Sequence, residues 1–161
     1  MIATLAAEEV LYRPATLRDV AAMAHIRSEN YWGHAPDWEL RLASYLSGEH
    51  HPRHALLPRV MIVAEQDDEV IGFIAGHLTR RFHCDGELQW INVSSAQRRH
   101  GVATELLREL GGWFAEYNAH KICVDAQPRN ADASAFYTSH GAEPLNDHWL
   151  VWPDIKRRLK L

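Results

Sequence analysis

Apolar positions along this chain change their period several times, and the period separates helix from strand. The stretch "LRDVAAMAHIRSENYW" places Val20, Met23, Ala24 and Ile26 on one stripe, which predicts a helix. "DWELRLASYLSG" repeats the pattern with Trp38, Leu42, Tyr45 and Leu46 and closes on Gly48, a residue suited to the left-handed turn that ends helices. "RVMIVAEQDDEVIGFIAGHL" holds two β-rich runs around an acidic turn from Gln66 to Glu69, the pattern of a hairpin. "EVLYRPAT", "ELQWINVS", "KICVDA" and "HWLVWPDI" read as further strands, the last one closing the chain. A helix is expected from about Val102 to Tyr117, with Val102, Leu106, Leu107, Leu110, Phe114 and Tyr117 on one face. Gly111 and Gly112 interrupt it, each unfavourable by about 1 kcal/mol against alanine, and the pattern gives no reason for them. "NADASAFYTSHG" reads as a short helix with Asn130 as N-cap and Gly141 as terminator.

Strands and helices interleaved in this way predict a mixed sheet with helices packed on it, an α/β or α+β domain. The chain of 161 residues shows no repeat and no linker, so one domain spanning 1–161 is expected. Formal net charge is -4, from 17 Lys+Arg against 21 Asp+Glu, which argues against nucleic-acid binding through bulk charge. No apolar run approaches the roughly 18 residues of a membrane span, and the N-terminus lacks the features of a signal peptide. A cytoplasmic protein with no membrane partner is therefore expected. Cys84 and Cys123 form no C-x-x-C pair, so free thiols are the simpler reading. His50, His51 and His54 crowd "GEHHPRH", but Pro52 breaks the helical spacing that paired ligands need, and a solvated loop without metal is expected.

The chemistry points to "INVSSAQRRHGVATELLREL". Arg98, Arg99 and His100 stand directly before a helix start, where the helix dipole is already positive. Cations added there repel the dipole unless something negative lies between. The first N–H groups of the helix have no acceptor within it, and Gly101 and the small Ala103 leave the backbone approachable. A pyrophosphate satisfies all these groups at once. The stretch has neither G-x-x-x-x-G-K-[ST] nor G-x-G-x-x-G, so triphosphate and dinucleotide loops are disfavoured.

What the stretch does contain is R-x-x-G-x-A, from Arg98 through Gly101 to Ala103. This resembles the acetyl-CoA loop of the GNAT superfamily of N-acetyltransferases, Q/R-x-x-G-x-G/A. "NADASAFYTSHGA" is similar to that family's N-x-x-A-x-x-F-Y-x-x-x-G-A/F, "ELQWINV" stands where the family places its central strand, and the order of elements agrees along nearly the whole chain. The resemblance implies a mixed, mostly antiparallel sheet of six to seven strands flanked by about four helices, splayed at a central strand pair that takes acetyl-CoA as co-substrate. It implies that backbone groups of Ile91 and Val93 pair with the pantetheine arm, as an added strand would. Arg98, Arg99, His100, Gly101, Val102, Ala103 and Thr104 would surround the pyrophosphate. Asn130 and Tyr137 lie two helical turns apart and share a face. Asn130 is a cofactor contact or only an N-cap. Tyr137 is a cofactor contact that protonates the departing CoA thiolate, or only a core aromatic.

Glu87, eleven residues before Arg98, resembles the glutamate base of the histone-acetylating branch; the alternative is a solvated strand-end carboxylate. In a regular strand it shares a face with Gln89, Ile91 and Val93, and a bulge, common in this family's strand, reverses that. The implied reaction is direct attack of an amine on the thioester, with a backbone N–H near Val93 stabilising the oxyanion. The acceptor would be a small-molecule or peptide amine, and Tyr31, Trp32, His34 and Trp38 either line its pocket or pack the core. Two rivals stand beside this reading: a non-catalytic acyl-CoA-binding module, which would keep the loop without turnover, and an RNA binder using Arg80, Arg81, Arg98 and Arg99, which lacks an aromatic platform. A homodimer is compatible with the resemblance, and the sequence does not set the oligomeric state.

Overall fold

The computed structural model describes residues 9–30, 33–98, 100–126 and 131–161. Seven strands form one sheet: β1 Leu11–Pro14, β2 Ala55–Gln66, β3 Glu69–Thr79, β4 Gly86–Val93, β5 Ile122–Asp125, β6 Glu143–Pro144 and β7 Trp149–Trp152, in the order β1-β2-β3-β4-β5-β7-β6. Every pairing is antiparallel except β4 with β5. The helices are α1 Val20–Asn30, α2 Ala35–Ser47, α3 Val102–Glu116, α4 Ala131–Ser139 and α5 Ile155–Arg158.

Two cores lie on opposite faces of the sheet. On one, Leu106, Leu107, Leu110 and Phe114 of α3 pack with Ile62, Ile74, Leu88, Ile122 and Trp152, and Tyr137 of α4 joins them. On the other, Val20, Met23, Ala24 and Ile26 of α1 and Trp38, Leu42 and Tyr45 of α2 cover Met61, Val63, Phe73 and Trp90. The stripes expected on α1 and α3 are the buried ones, except that Tyr117 caps α3 and is 48% exposed.

Several elements differ from the sequence expectation. Residues 17–19 form a 3-10 turn before α1, closed by Asp19 bonding back to Thr16. The closing strand stops at Trp152 because Pro153 has no N–H to give a ladder; Asp154 then caps the single-turn α5, the fifth α-helix among the described residues, in keeping with the expected number of about four. β6 is only two residues long and carries no periodic signal. Gly111 has a reason that lies far along the chain: a Cβ there would stand 2.9 Å from Leu159 Cδ1 and from Leu161 Cδ1. The C-terminal segment therefore closes on α3, where Arg108 Nη1 donates to Leu159 O at 2.9 Å.

Candidate active site

The site is built where the sheet parts. β4 and β5 pair at only three positions, Gly86↔Ile122, Glu87↔Cys123 and Leu88↔Val124. β4 runs on to Val93 beside β3, but no described strand lines its other edge past Leu88. Backbone groups on an open edge must find partners, and an extended chain of amides fits such an edge. Ile91 and Val93 lie along this segment, in register with Ile74 and Gly72 of β3.

A bulge sets what the strand presents. Trp90 pairs with Ala75 and Leu88 with Gly76, so Gln89 is an extra residue. Leu88, Ile91 and Val93 consequently face the α3 core. Trp90 faces the α1/α2 core, and Asn92 accepts from Arg27 of α1 at 2.7 Å. Glu87 falls on the α1/α2 side, beside His77. The parity of a regular strand, which would group Glu87 with Ile91 and Val93, does not hold.

At the far end of β4 a 3-10 turn, Ser95–Gln97, leads into the turn before α3. Ser95 N and Oγ reach Glu29 Oε2 of α1 at 3.4 Å, which ties this turn to the helix. Gly101 is the N-cap, at φ 80 and ψ 4. That left-handed conformation is what demands glycine, since a Cβ there would meet no atom within 4 Å. No side chain caps the helix, and uncapped N–H groups of this kind can receive an anion. Arg98 and His100 are exposed beside them, Val102 is buried, and Ala103 and Thr104 are partly buried. Arg99 and Asn130 lie outside the described residues, as do Tyr31 and Trp32. Thr104 has a partner the sequence did not announce. His140 Nδ1 lies 2.8 Å from Phe136 O and so donates to it; Nε2 then accepts from Thr104 Oγ1 at 3.1 Å. This bond joins the start of α3 to the end of α4. Tyr137 is buried, edge-on to Trp152 at 5.7 Å between ring centroids.

On the α1/α2 face Glu87 is 4% exposed, not solvated at a strand end. Arg81 Nε donates to its Oε1 at 2.9 Å, and the Arg81 guanidinium lies 4.6 Å over the Trp149 ring. Burial pushes the Glu87 carboxyl up to about 7; Arg81 pulls against this and Asp125 adds to it. His77, fully buried, is pushed down to about 4 by burial, with Arg59, Arg81 and His51 adding to the shift. Its ring is thus neutral at pH 7, and its 3.7 Å approach to Glu87 is no ion pair. Beside Glu87, across from it on β5, Cys123 shares a buried cluster with Cys84, and the interaction of the two free thiols lowers the Cys84 thiol and raises that of Cys123.

Arg81, His77, Tyr45 and His140 were not singled out as site residues from the sequence. A histidine inside the apolar run "IGFIAGHL" was the one available signal. Arg81, grouped in the sequence with a basic surface patch, turns inward to Glu87 instead. The histidine-rich loop does structural work: the carbonyls of His50 and His54 accept from Arg59 and from Thr79. Trp38 packs against Trp90, while His34 is exposed. Among the described residues no group of three His, Cys, Asp or Glu is placed to hold a metal ion, and no helix is long and apolar enough to cross a membrane.

A mostly antiparallel sheet opened between two parallel strands, with a glycine-capped helix beside the opening, is the architecture of an acyltransferase that takes coenzyme A. The sequence profile of the acetyltransferase (GNAT) family matches residues 19–142, and the chain belongs to that family. No curated protein matches the chain. Solved structures do. A protein from Desulfovibrio desulfuricans assigned to the GNAT family superposes with a TM-score of 0.72 at 15% identity, over 89% of this chain and 97% of that one. The aminoglycoside 6'-N-acetyltransferase of Acinetobacter haemolyticus gives 0.70 at 19%, over 85% and 93%. The PaiA N-acetyltransferase of Thermoplasma acidophilum, solved with coenzyme A, gives 0.66 at 13%, over 89% and 96%. At such identities these likenesses establish the fold.

Proposed function

We propose that this chain is an acetyl-CoA-dependent N-acetyltransferase that moves the acetyl group to a primary amine by direct attack on the thioester. The observation that carries the reading is Glu87: a buried carboxyl near neutral pKa, one residue before β4 leaves β5. An alkyl ammonium is mostly protonated at pH 7 and must lose a proton before it attacks. A carboxyl poised near 7 is matched to that task. Because the bulge turns Glu87 to the α1/α2 side, the acceptor enters from that face while the thioester lies along Ile91–Val93. Backbone N–H near Val93 stabilises the oxyanion, and Tyr137 returns a proton to the CoA thiolate.

The phosphates are taken by the N–H groups that begin α3, with Arg98, Arg99, His100, Gly101, Val102, Ala103 and Thr104 as their contacts and Asn130 as a further cofactor contact. Acetyl-CoA is a co-substrate, and no step needs a metal. The acceptor is an amine-bearing small molecule or peptide.

Calorimetric titration with acetyl-CoA, followed by thiol detection across a panel of amines, tests this. Binding plus thiol release with at least one amine is expected, and Glu87→Gln should lower kcat by roughly 10²–10⁴-fold. Tight acetyl-CoA binding with no release on any amine would leave a binding module and refute the enzyme. Full activity in Tyr137→Phe would remove the tyrosine from its role.

A further inference from the structure

The His77 imidazole sits in β3 with an unused lone pair. Tyr45 of α2 donates its hydroxyl proton to Gly76 O at 2.8 Å, while its Oη stands 3.0 Å from His77 Nδ1. A phenol has one proton, so the second bond must be donated by Nδ1–H. A neutral ring protonated at Nδ1 carries no proton on Nε2. That atom is buried with no hydrogen-bond partner and lies 3.7 Å from Glu87 Oε2. Two acceptors therefore face each other beyond hydrogen-bond range. A buried orphan acceptor calls for an explanation, and here one proton on Glu87 supplies it once the carboxyl closes the 3.7 Å gap to hydrogen-bond range.

We infer that His77 is a positioning residue for the acid–base cycle: the proton that Glu87 removes from the incoming amine is directed along Oε2–H to His77 Nε2, which holds the carboxylic acid in place. This rests on the reading of Glu87 as base. An N–H bond of the ammonium, or an O–H bond of an intervening water, breaks and leaves its electron pair behind. An O–H bond forms at Oε2, and Glu87 passes from anionic to neutral. The proton goes to solvent after product leaves. Each protonation state has its own partner: Arg81 on Oε1 serves the carboxylate, and His77 on Oε2 serves the acid. Arg81 from the turn before β4 and Asp125 from β5 face Glu87, with Tyr45 of α2 and Cys123 of β5 nearby. Arg59, Arg81 and His51 face His77 and oppose a charge on it, so the proton stays on oxygen.

The test is an NMR titration of the full chain labelled with ¹³C in glutamate carboxyls, the Glu87 signal being the one lost in Glu87→Gln. His77→Leu removes the acceptor. Tyr45→Phe removes the partner of Nδ1–H, so that the ring proton moves to Nε2 and points at the carboxylate. Each should lower the Glu87 titration by roughly half to one pH unit, the worth of one neutral hydrogen bond. The acidic limb of kcat/KM should move with it, and ¹⁵N shifts should report a bare Nε2 in the wild type at pH 7. An unmoved or raised titration in both variants, or a protonated Nε2, overturns the inference. Full turnover in Glu87→Gln is a different failure: it removes the base, and with it this pair's place in the cycle. A needed Glu87 whose titration ignores both variants removes His77 alone.

Discussion

Adjacent glycines in the middle of α3 should respond in opposite ways to the same substitution. Each Gly→Ala gains about 0.8–1 kcal/mol of helix propensity. At Gly112 nothing lies within 4 Å of the new Cβ, so the gain is kept. Gly112→Ala should stabilise by about 1 kcal/mol, a rise of roughly 2–4 °C in Tm for a chain of this size. At Gly111 the new Cβ meets two leucine methyls at 2.9 Å. Leu159 is 6% exposed and has little room, whereas Leu161 is 38% exposed and can swing away. Overpacking in a core costs about 1–3 kcal/mol, and movable side-chain ends put this site in the lower part of that range. The net effect of Gly111→Ala is then between about zero and 2 kcal/mol of destabilisation. The two variants should differ by roughly 1–3 kcal/mol in urea and thermal unfolding followed by circular dichroism. A Gly111→Ala protein at least as stable as Gly112→Ala would show that the C-terminal segment does not press on α3 and would refute the reasoning.

Three further outcomes are expected. Arg98→Glu should weaken coenzyme A binding by roughly 10–100-fold, the worth of a charge-assisted hydrogen bond to phosphate, with a shallower salt dependence in calorimetry; an unchanged affinity places the phosphates elsewhere. Glu87 carries a carboxyl raised from 4.5 to about 7 in the folded chain, so the folded state's advantage in holding that proton is full below about 4.5 and lost as pH rises through 7. Glutamine does not ionise, so the stability of Glu87→Gln relative to wild type should grow between pH 5 and 8 by about 2.5 kcal/mol, and a flat difference in Tm over that range would count against a buried, ionising carboxyl. Gly101→Ala meets no clash but must hold φ 80, so it should cost about 1–2 kcal/mol of stability from the left-handed backbone alone; a thermal scan that matches wild type contradicts the cap geometry.

Periodicity made most of this fold legible. The stripes on α1 and α3, the hairpin and the glycine stop after α2 are local patterns, and local patterns survive in a sequence. Contacts between distant segments do not. Gly111 looked like a flaw until Leu159 and Leu161 were seen against it. The glycine-capped turn before α3 was legible because its glycine, small residues and cations are contiguous. Glu87 was legible by position but not by orientation, because Gln89 is neither glycine nor proline and nothing local marks it as a bulge. Its partners were harder still: His77 lies in an apolar run, Arg81 stands next to an exposed arginine, and Tyr45 reads as one more core aromatic of α2. The Thr104–His140 bond joins two helices whose pairing no spacing rule reveals.

A strand has a phase, and Gln89 resets it midway. Upstream of it the odd-numbered side chains look toward α1 and α2; downstream the even-numbered ones do. Anyone grafting this segment onto another scaffold must carry the reset along. Excise that single amide while the downstream half stays put, and Glu87 swings in among the leucines of α3, out of reach of Arg81 and His77. The chemical address of the carboxylate is written by a residue two places further along the strand.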